Sequence, residues 1–368
     1  MAVGGTAVGG RREPVASGTL DGVTPPLRPP GSRTPLGAGT PGGLLVGVGP
    51  LAERVTAHMV AVEAQLRSAV SQSDRLADST SRHLVEAGGK RVRPQLALLA
   101  AELGHGAVPE VVQAAVVVEL THLATLYHDD VMDSAPLRRG APAAQQVWGN
   151  NVAILTGDLL FARASRLVAA LGPRAVEIQA QTFERLCLGQ LHETVGPEDG
   201  EEPVGHYLQV LADKTGSLIA TAARFGAMFG GCDDEVVDLV VRYGELVGVA
   251  FQLADDVIDL DDDDSGKRAG TDLRERVPTL PVLLARRAAA AGDADAAAAL
   301  ALVDGPLDGD DELARAVAAL RALPSTDEAR RHARACAEEA VEALGALPDG
   351  EVRDALAAFA AAIADRTR

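Results

Sequence analysis

The stretch Leu126–Gly140, "LYHDDVMDSAPLRRG", places three aspartates within five residues and two arginines just beyond them. If the stretch is helical, the carboxylates of Asp129 and Asp133 lie on one face, and Asp130 lies about 100° round, at the edge of that face. Like charges so arranged destabilise a helix unless positive charge lies between them. The motif therefore predicts either a metal site or a solvated helix end, and by itself it leaves both open.

A second copy of the motif occurs in "FQLADDVIDLDDDDSGKRAGTD", residues 251–272, as Asp255, Asp256 and Asp259. Each copy ends a long, largely apolar candidate helix, so the two copies can face each other across a helical bundle. Oxygen ligands without a nearby Cys or His pair indicate a hard cation, Mg²⁺ or Mn²⁺. We interpret the acidic run at residues 261–264 as a solvated loop.

Basic residues near these motifs suggest a phosphorylated substrate. Mg²⁺ in proteins is commonly held by a few carboxylates together with substrate phosphates. Candidate phosphate contacts are Arg138 with Arg139, Lys267, and the upstream "GGKRVRP" at residues 88–94. The upstream stretch is not a nucleotide-binding P-loop, because an arginine follows its lysine and the first glycine of that motif is missing.

The composition narrows the class of protein. The 34 Lys and Arg against 52 Asp and Glu leave a net charge of −18, which argues against nucleic acid as a partner. Three separated cysteines without a CxxC motif indicate reduced thiols and a cytoplasmic protein. No run of about 18 apolar residues is evident, so we expect no transmembrane helix.

The chain divides into a tail and one helical domain. Residues 1–48 are rich in Gly, Pro, Ser and Thr, which predicts a disordered tail. In residues 49–368 apolar residues recur at three- and four-residue spacing, which predicts an all-α domain without strands. The candidate helices cover residues 51–70, 73–87, 92–104, 109–133, 142–149, 151–171, 174–194, 203–212, 214–230, 233–262, 278–291, 311–322, 326–345 and 350–366. We interpret the alanine-rich residues 295–317 as a variable surface connection.

Together these motifs resemble those of the trans-isoprenyl diphosphate synthases, also called polyprenyl synthetases. One aspartate motif is a weak signal, but two copies, with the basic motif upstream and the arginine pair after the first, are specific. The resemblance is ordered along the chain, from "GGKRVRP" through "HDDVMDSAPLRRG", "VWGNNVAILTGDLLF", "GQLHETVG", "DKTGSLIATA" and "FQLADDVID" to "GTDLRERVPTLP".

The resemblance implies an all-α, isoprenoid-synthase-type bundle around a deep central cavity, generally as a homodimer. It implies Asp129, Asp133 and Asp255 as the main Mg²⁺ ligands, for about three ions per active site, with Mn²⁺ able to substitute. It also implies supporting ligands that act partly through water, namely Asp130, Asp256 and Asp259.

The resemblance further implies how two substrates bind. The residues expected at the allylic diphosphate are Arg138, Lys214 and Lys267. The residues expected at isopentenyl diphosphate are Lys90, Arg93, His122 and Arg139. The residues expected beside the reacting carbons are Thr215 and Gln252.

Two histidines and one further acid carry alternative interpretations. A lone histidine on an apolar helix is more often a packed core residue, but His122 lies two turns before Asp129 on the same face, so we favour a ligand. We interpret His128 as structural. Asp158, which follows the glycine of "TGDLLF", is assigned no chemical role.

One stretch departs from the family pattern. Many relatives carry "DLxEGKxTLP" after the second aspartate motif, whereas residues 272–281 here read "DLRERVPTLP". Arg276 and Val277 therefore occupy the Gly-Lys positions. Either Arg276 replaces a phosphate-binding lysine, or the site uses one fewer cation.

The implied activity is head-to-tail condensation of isopentenyl diphosphate onto an allylic diphosphate. Ala124 and Thr125, just before the first motif, are small and leave no floor beneath the metal site, which predicts a long all-trans product of about C35–C50 for a quinone side chain. We expect peripheral membrane contact when such a product is released. The alternatives are a short-chain synthase making farnesyl or geranylgeranyl diphosphate, a class I terpene cyclase, and a non-catalytic bundle.

Overall fold

The computed structural model describes residues 49–261 and 269–364, which lie within one compact unit, Thr40–Arg368. The predicted disordered tail at residues 1–48 lies outside the described residues, as do Lys267 and most of the acidic run that precedes it.

The described residues form an all-α bundle, as predicted. The helices are α1 (Pro50–Val70), α2 (Arg75–Glu86), α3 (Val92–Ala101), α4 (Pro109–Met132), α5 (Ala144–Trp148), α6 (Asn150–Ala169), α7 (Pro173–Val195), α8 (Pro203–Leu211), α9 (Ser217–Phe229), α10 (Asp234–Ile258), α11 (Thr271–Arg274), α12 (Leu280–Ala290), α13 (Ala294–Val303), α14 (Asp310–Arg321), α15 (Pro324–Ala343) and α16 (Glu351–Ala364). A π-helix, Ala212–Gly216, joins α8 to α9, and a 3₁₀ turn, Leu344–Ala346, follows α15.

Two expectations were wrong. The alanine-rich stretch that was interpreted as a surface connection contains α13, which buries Ala299, Leu300 and Val303 against neighbouring helices. The expectation of no strand also fails, because Leu137–Arg138 (β1) pairs antiparallel with Ala141–Pro142 (β2). This short hairpin fixes the direction in which the two arginines after the first acidic motif point.

Helices α4 and α10 form the centre of the bundle and carry the two acidic motifs at their C-terminal ends. Helix α4 packs on α3, α6 and α9, and α10 packs on α9 and α15. Acidic residues are unfavourable at a helix C-terminus, where the helix dipole is negative. Both motifs therefore lie where a cation lowers their free energy.

The central position of α4 also explains its hydropathy. By length and composition alone, this described helix could cross a membrane. It was not singled out from the sequence, because only an unbroken run of apolar residues was sought there. In the structure, 72% of its most apolar window is buried inside the protein. Such burial is typical of a core helix in a large bundle.

Candidate active site

The first acidic motif is balanced by an arginine of the hairpin. The Asp130 side chain is fully buried, and its Oδ1 accepts hydrogen bonds from Nε and Nη2 of Arg138, each at 2.6 Å. Burial raises the pKa of Asp130, and the hydrogen bond from Arg138 opposes this rise. Asp130 therefore holds Arg138 in place beside the other two carboxylates of the motif.

Asp129 and Asp133 are more open than Asp130. Burial raises the pKa of Asp129 to about 6, and the positive charge of Lys214 is the largest influence that opposes it. Burial also raises the pKa of Asp133, again against Lys214. Carboxylates with raised pKa values lack sufficient positive charge around them, so this pair is suited to bind a cation.

Lys214 and Thr215 lie on the π-helix, a distortion that is frequent at functional sites. The Lys214 Nζ donates a hydrogen bond to Oε2 of Glu193 at 2.5 Å. A Cβ on Gly189 would lie 2.7 Å from the Lys214 backbone nitrogen, so only glycine lets α7 approach the π-helix this closely. The Thr215 hydroxyl lies 3.5 Å from Oε1 of Gln252 on α10, at the edge of hydrogen-bonding distance.

The second acidic motif has different partners. Asp256 is buried, and its Oδ2 accepts hydrogen bonds from the Tyr207 hydroxyl at 2.6 Å and from the Leu280 backbone nitrogen at 3.4 Å. Burial raises the pKa of Asp256 to about 7. Asp256 thus ties α10 to α8 and α12, which favours a supporting role over direct metal binding.

Asp259 closes the start of α11. Its two carboxylate oxygens accept hydrogen bonds from the backbone nitrogens of Thr271 at 3.2 Å and Asp272 at 3.0 Å. Asp259 therefore holds the chain in place where it re-enters the site, and Asp255, which is half-buried, is the remaining carboxylate of the motif.

Glu275 connects the two motifs. Burial raises its pKa, and the next largest influences are the negative charges of Asp133 in the first motif and Asp259 in the second. Burial and the neighbouring carboxylates, Asp259 foremost, raise the pKa of Asp272 to about 8. Because Glu275 interacts electrostatically with Asp133 and with Asp259, it lies near both acidic helix ends.

Basic residues gather on the other side of the first motif. Burial, followed by the charges of Arg93 and Arg139, lowers the pKa of His122 well below its ordinary value, so this histidine is neutral. Burial lowers the pKa of Arg93 to about 10, and its Nε has no hydrogen-bond partner among the described residues. The structure thus brings together three of the four residues expected at isopentenyl diphosphate, with positive charge in excess.

The "GGKRVRP" loop shapes this basic group. The Arg139 guanidinium donates to the carbonyl oxygens of Gly88 and Leu84, and a Cβ on Gly89 would lie 2.7 Å from its Cζ. The φ of Gly89 is +141°, a conformation that other residues rarely adopt, so glycine is favoured where Arg139 crosses the loop. The neighbouring Lys90 is exposed at the loop surface.

Arg91 in the same loop has a structural role. Its guanidinium is buried and forms ion pairs with Glu63 at 2.6 Å and Glu119 at 2.9 Å. Its backbone φ is +49°, and this strained conformation is fixed by these two contacts. Arg91 therefore anchors the loop that carries Lys90 and Arg93.

Arg276 makes its hydrogen bonds within the protein. Its Nη1 and Nη2 donate to the carbonyl oxygens of Val303 at 2.7 Å and Gly305 at 2.6 Å, at the C-terminus of α13. The guanidinium is thereby engaged by the protein itself. Of the two alternatives raised by "DLRERVPTLP", the structure favours a site with one fewer cation.

The remaining sequence candidates line α4. Ala124 is fully buried, and a Cβ on Gly157 of α6 would lie 3.1 Å from its carbonyl oxygen, whereas Thr125 is half-buried. His128 packs against α6, with Nε2 3.0 Å from the Ile154 carbonyl oxygen and 3.4 Å from a carboxylate oxygen of Asp158. These contacts agree with a structural histidine.

Four residues of the site were missed by sequence reasoning: Glu193, Tyr207, Asp272 and Glu275. Two of the quoted motifs, "GQLHETVG" and "GTDLRERVPTLP", contain three of them, but the pattern alone assigned them no role. Tyr207 lies seven residues before Lys214, two helical turns along, and only the fold shows that it reaches Asp256.

Comparison with known proteins places the chain in a family. The sequence model of the polyprenyl synthetase family matches residues 74–319. The chain belongs to this family. Like other polyprenyl synthetases, it is a trans-prenyltransferase, as the resemblance predicted.

Named relatives of this synthetase make products of different length. The chain is 47% identical to nonaprenyl diphosphate synthase of Mycobacterium tuberculosis (strain ATCC 25618 / H37Rv), over 89% of this chain and 97% of that one. A decaprenyl diphosphate synthase from Rhodobacter capsulatus superposes with a TM-score of 0.77 at 35% identity, covering 86% of this chain and 98% of that one. A geranylgeranyl pyrophosphate synthase from Corynebacterium glutamicum, complexed with calcium and isoprenyl diphosphate, superposes with a TM-score of 0.77 at 41% identity. The match covers 88% of this chain and 99% of that one.

The aspartates of this synthetase suit a divalent cation only in part. Within residues 49–261 and 269–364, no three His, Cys, Asp or Glu side chains are already arranged to hold a metal ion. The raised pKa values of Asp129 and Asp133 nevertheless indicate that their negative charges are not fully neutralised by the protein. Mg²⁺ usually retains water and takes part of its ligands from substrate phosphates, so an incomplete protein ligand set fits this ion.

Proposed function

We propose that this synthetase condenses isopentenyl diphosphate head-to-tail onto an allylic diphosphate and repeats the step to a product of about C35–C50, for a quinone side chain. The observation that carries the proposal is the position of Glu275 near both acidic helix ends, together with the basic group beside the first of them. The names of the nonaprenyl and decaprenyl relatives support a long product.

Asp129, Asp133 and Asp255 would hold the metal ions, three per site, with Mn²⁺ able to replace Mg²⁺. When bound, the ions would neutralise charge on the leaving diphosphate, where it develops in the transition state. Asp130 and Asp256 would serve through their partners, because each is already hydrogen-bonded to a neighbouring side chain.

Lys214 and Arg138 would bind the allylic diphosphate, with Lys267 as a further contact. Both described residues lie within electrostatic range of Asp129, so their positive charge reaches the same place as the metal ligands. The Thr215 hydroxyl and the Gln252 amide oxygen would face the allylic carbon, where oxygen dipoles stabilise positive charge as the C–O bond breaks.

Arg93, Arg139 and Lys90 would bind the diphosphate of isopentenyl diphosphate. His122 is neutral, so it can donate one hydrogen bond without adding charge. The double bond of isopentenyl diphosphate would then attack the allylic carbon, forming a C–C bond. The departed diphosphate would take up the proton whose loss restores the alkene.

We also propose a homodimer formed through α6 and α7. Large apolar side chains are exposed along both helices, including Ile154 (40%), Leu155 (65%), Leu191 (58%) and Val195 (80%). Exposed apolar patches of this kind mark protein interfaces. In light scattering at micromolar concentration the wild-type chain should have twice the mass of Leu191→Glu.

The enzyme would work in the cytoplasm and touch a membrane surface when product leaves. Met132 and Leu137 support such contact, because both are more than half exposed beside the first acidic motif. Vesicle flotation with and without a bound long-chain product would test it, since binding should require the product.

Product sizing tests the proposed reaction. The purified chain would be incubated with Mg²⁺, radiolabelled isopentenyl diphosphate and each allylic primer, and the products would be separated by chain length. We expect products of about C35–C50 and none in EDTA. Products that end at C15 or C20 would favour a short-chain synthase, in line with the Corynebacterium relative. Absence of all condensation would contradict the proposal.

A further inference from the structure

The side chains on one face of α4 become fully buried a short way below the first acidic motif. Thr125, one turn before Asp129, is half-buried, whereas Thr121 and Val118 further along are each 0% exposed. At a rise of 1.5 Å per residue, Thr121 lies roughly 12 Å below Asp129. The interior of the bundle is therefore closely packed at the depth of Thr121.

A pair of polar side chains crosses the bundle at this level. Gln179 Nε2 on α7 donates to Oγ1 of Thr121 on α4 at 2.7 Å. One turn along α7, the hydroxyls of Thr182 and Thr221 lie 2.6 Å apart and link α7 to α9. All four residues are buried, so a polar belt interrupts an otherwise apolar core.

The belt is incompletely satisfied at Gln179. Its Oε1 is buried and has no hydrogen-bond partner among the described residues. An unpaired buried polar atom is costly, and an apolar side chain would pack the same gap without that cost. Thr121, by contrast, donates its hydroxyl proton to the Val117 carbonyl oxygen at 2.9 Å and stays satisfied without Gln179. Opening the pair therefore breaks one neutral hydrogen bond and leaves α4 intact.

A growing product reaches this belt early. Each isoprene unit adds four chain carbons, roughly 5 Å with C–C bonds near 1.5 Å, so the tail meets Thr121 after two to three units. Products up to about C15 fit above the pair, and longer ones must pass it. This step rests on the proposed function.

We propose that the Thr121–Gln179 hydrogen bond is a gate to the lower part of the product channel, with Gln179 as a specificity-determining residue. The Gln179 side chain swings aside when the tail arrives, and the tail then runs on between α4 and α7. Chain length beyond about C15 depends on this opening as well as on the small residues next to the metal site.

A bulky substitution tests the gate. Gln179→Phe places a bulkier side chain at this level, so products should end at about C15 while the rate of the first condensation is kept. Gln181→Phe is the matched control: it lies on the same helix, is exposed on the outer side facing the cleft with α10, and should leave product length unchanged. Unaltered product length in Gln179→Phe would overturn the gate.

A conservative pair covers the case in which Gln179→Phe does not fold. Thr121→Val and Gln179→Leu each remove the hydrogen bond at similar volume, and both should lower the released share of C15–C20 intermediates roughly twofold or more. A merely structural brace would instead change the melting temperature and leave that share unaltered, which would refute the proposal. If the wild-type chain condensed nothing at all, the proposed function would fail first and independently.

Discussion

The two acidic motifs share one sequence pattern but differ in what balances their charge. In the first, Arg138 neutralises Asp130 directly, and Lys214 acts on Asp129. In the second, Asp256 is held by an uncharged tyrosine, and the charges that act most strongly on the nearby Asp272 are all carboxylates. The same motif can therefore hold its buried aspartate with an arginine in one place and with an uncharged hydroxyl in another, and only the tertiary structure shows which.

Removing one ligand from each motif has the largest expected effect. Asp129→Ala and Asp255→Ala should each lower kcat by roughly 10²- to 10³-fold or more, because charge on the leaving diphosphate is no longer neutralised. Turnover would be measured at saturating Mg²⁺, with helix content checked by circular dichroism. Asp327→Ala, an exposed acid on α15, is the control and should keep its activity.

Loss of turnover in only one of Asp129→Ala and Asp255→Ala would contradict a functional role for both acidic motifs. A single functional motif would mean that the other is a solvated helix end. This is the alternative to a metal site that the sequence of either motif leaves open.

The fold was largely predictable from the sequence, because the large apolar residues of α4 and α10 repeat at helical spacing. Helix α13 was not, since alanine is too small to mark a buried face until a neighbour packs on it. The hairpin was also missed, although Arg139 and Gly140 both adopt positive φ, the conformation of a two-residue turn.

The site was predictable where one motif carries several charges, and not where distant segments meet. The pattern singled out Asp129, Arg138 and His122 as candidates, and the structure shows what surrounds each of them. The pattern could not identify the Tyr207–Asp256 contact, which joins α8 to α10, nor the engagement of Arg276 by the end of α13, because both arise from packing between elements.

The next largest effect is expected for Tyr207, which donates a hydrogen bond to Asp256 of the second motif. Tyr207→Phe leaves a buried carboxylate short of a donor, which should lower the free energy of unfolding by about 1–3 kcal/mol in urea denaturation. Tyr243→Phe is a matched control, since its hydroxyl donates to the neutral Leu356 carbonyl at 2.7 Å and should cost less. Equal losses in the two variants would contradict a special role for Asp256.

Stabilisation by Mg²⁺ should depend on pH. The pKa values of Asp129, Asp256 and Asp272 are raised by folding, to about 6, 7 and 8. The folded state therefore binds more protons, and these groups destabilise it increasingly as pH rises from about 4 to 8. Bound Mg²⁺ compensates for the burial of these negative charges, so the rise in melting temperature on adding it should be larger at pH 8 than at pH 5.5. Equal rises in melting temperature at the two pH values, after correction with NaCl of matched ionic strength, would contradict this expectation.

The smallest expected effect concerns the departure from the family pattern. Arg276→Gln should lower the free energy of unfolding by about 1 kcal/mol, because it loses the charged hydrogen bonds to the end of α13. Its kcat and its KM for the allylic substrate should stay within about twofold of wild type, measured by steady-state kinetics. A large rise in KM would show that Arg276 contacts phosphate after all.

The central claim is that one diphosphate is held by both acidic motifs at once. Calorimetric titration of inorganic pyrophosphate into the chain at saturating Mg²⁺ tests this without any need for turnover. We predict that Asp129→Ala and Asp255→Ala each weaken pyrophosphate binding by roughly tenfold or more. Binding that is unchanged in either variant would contradict a shared site.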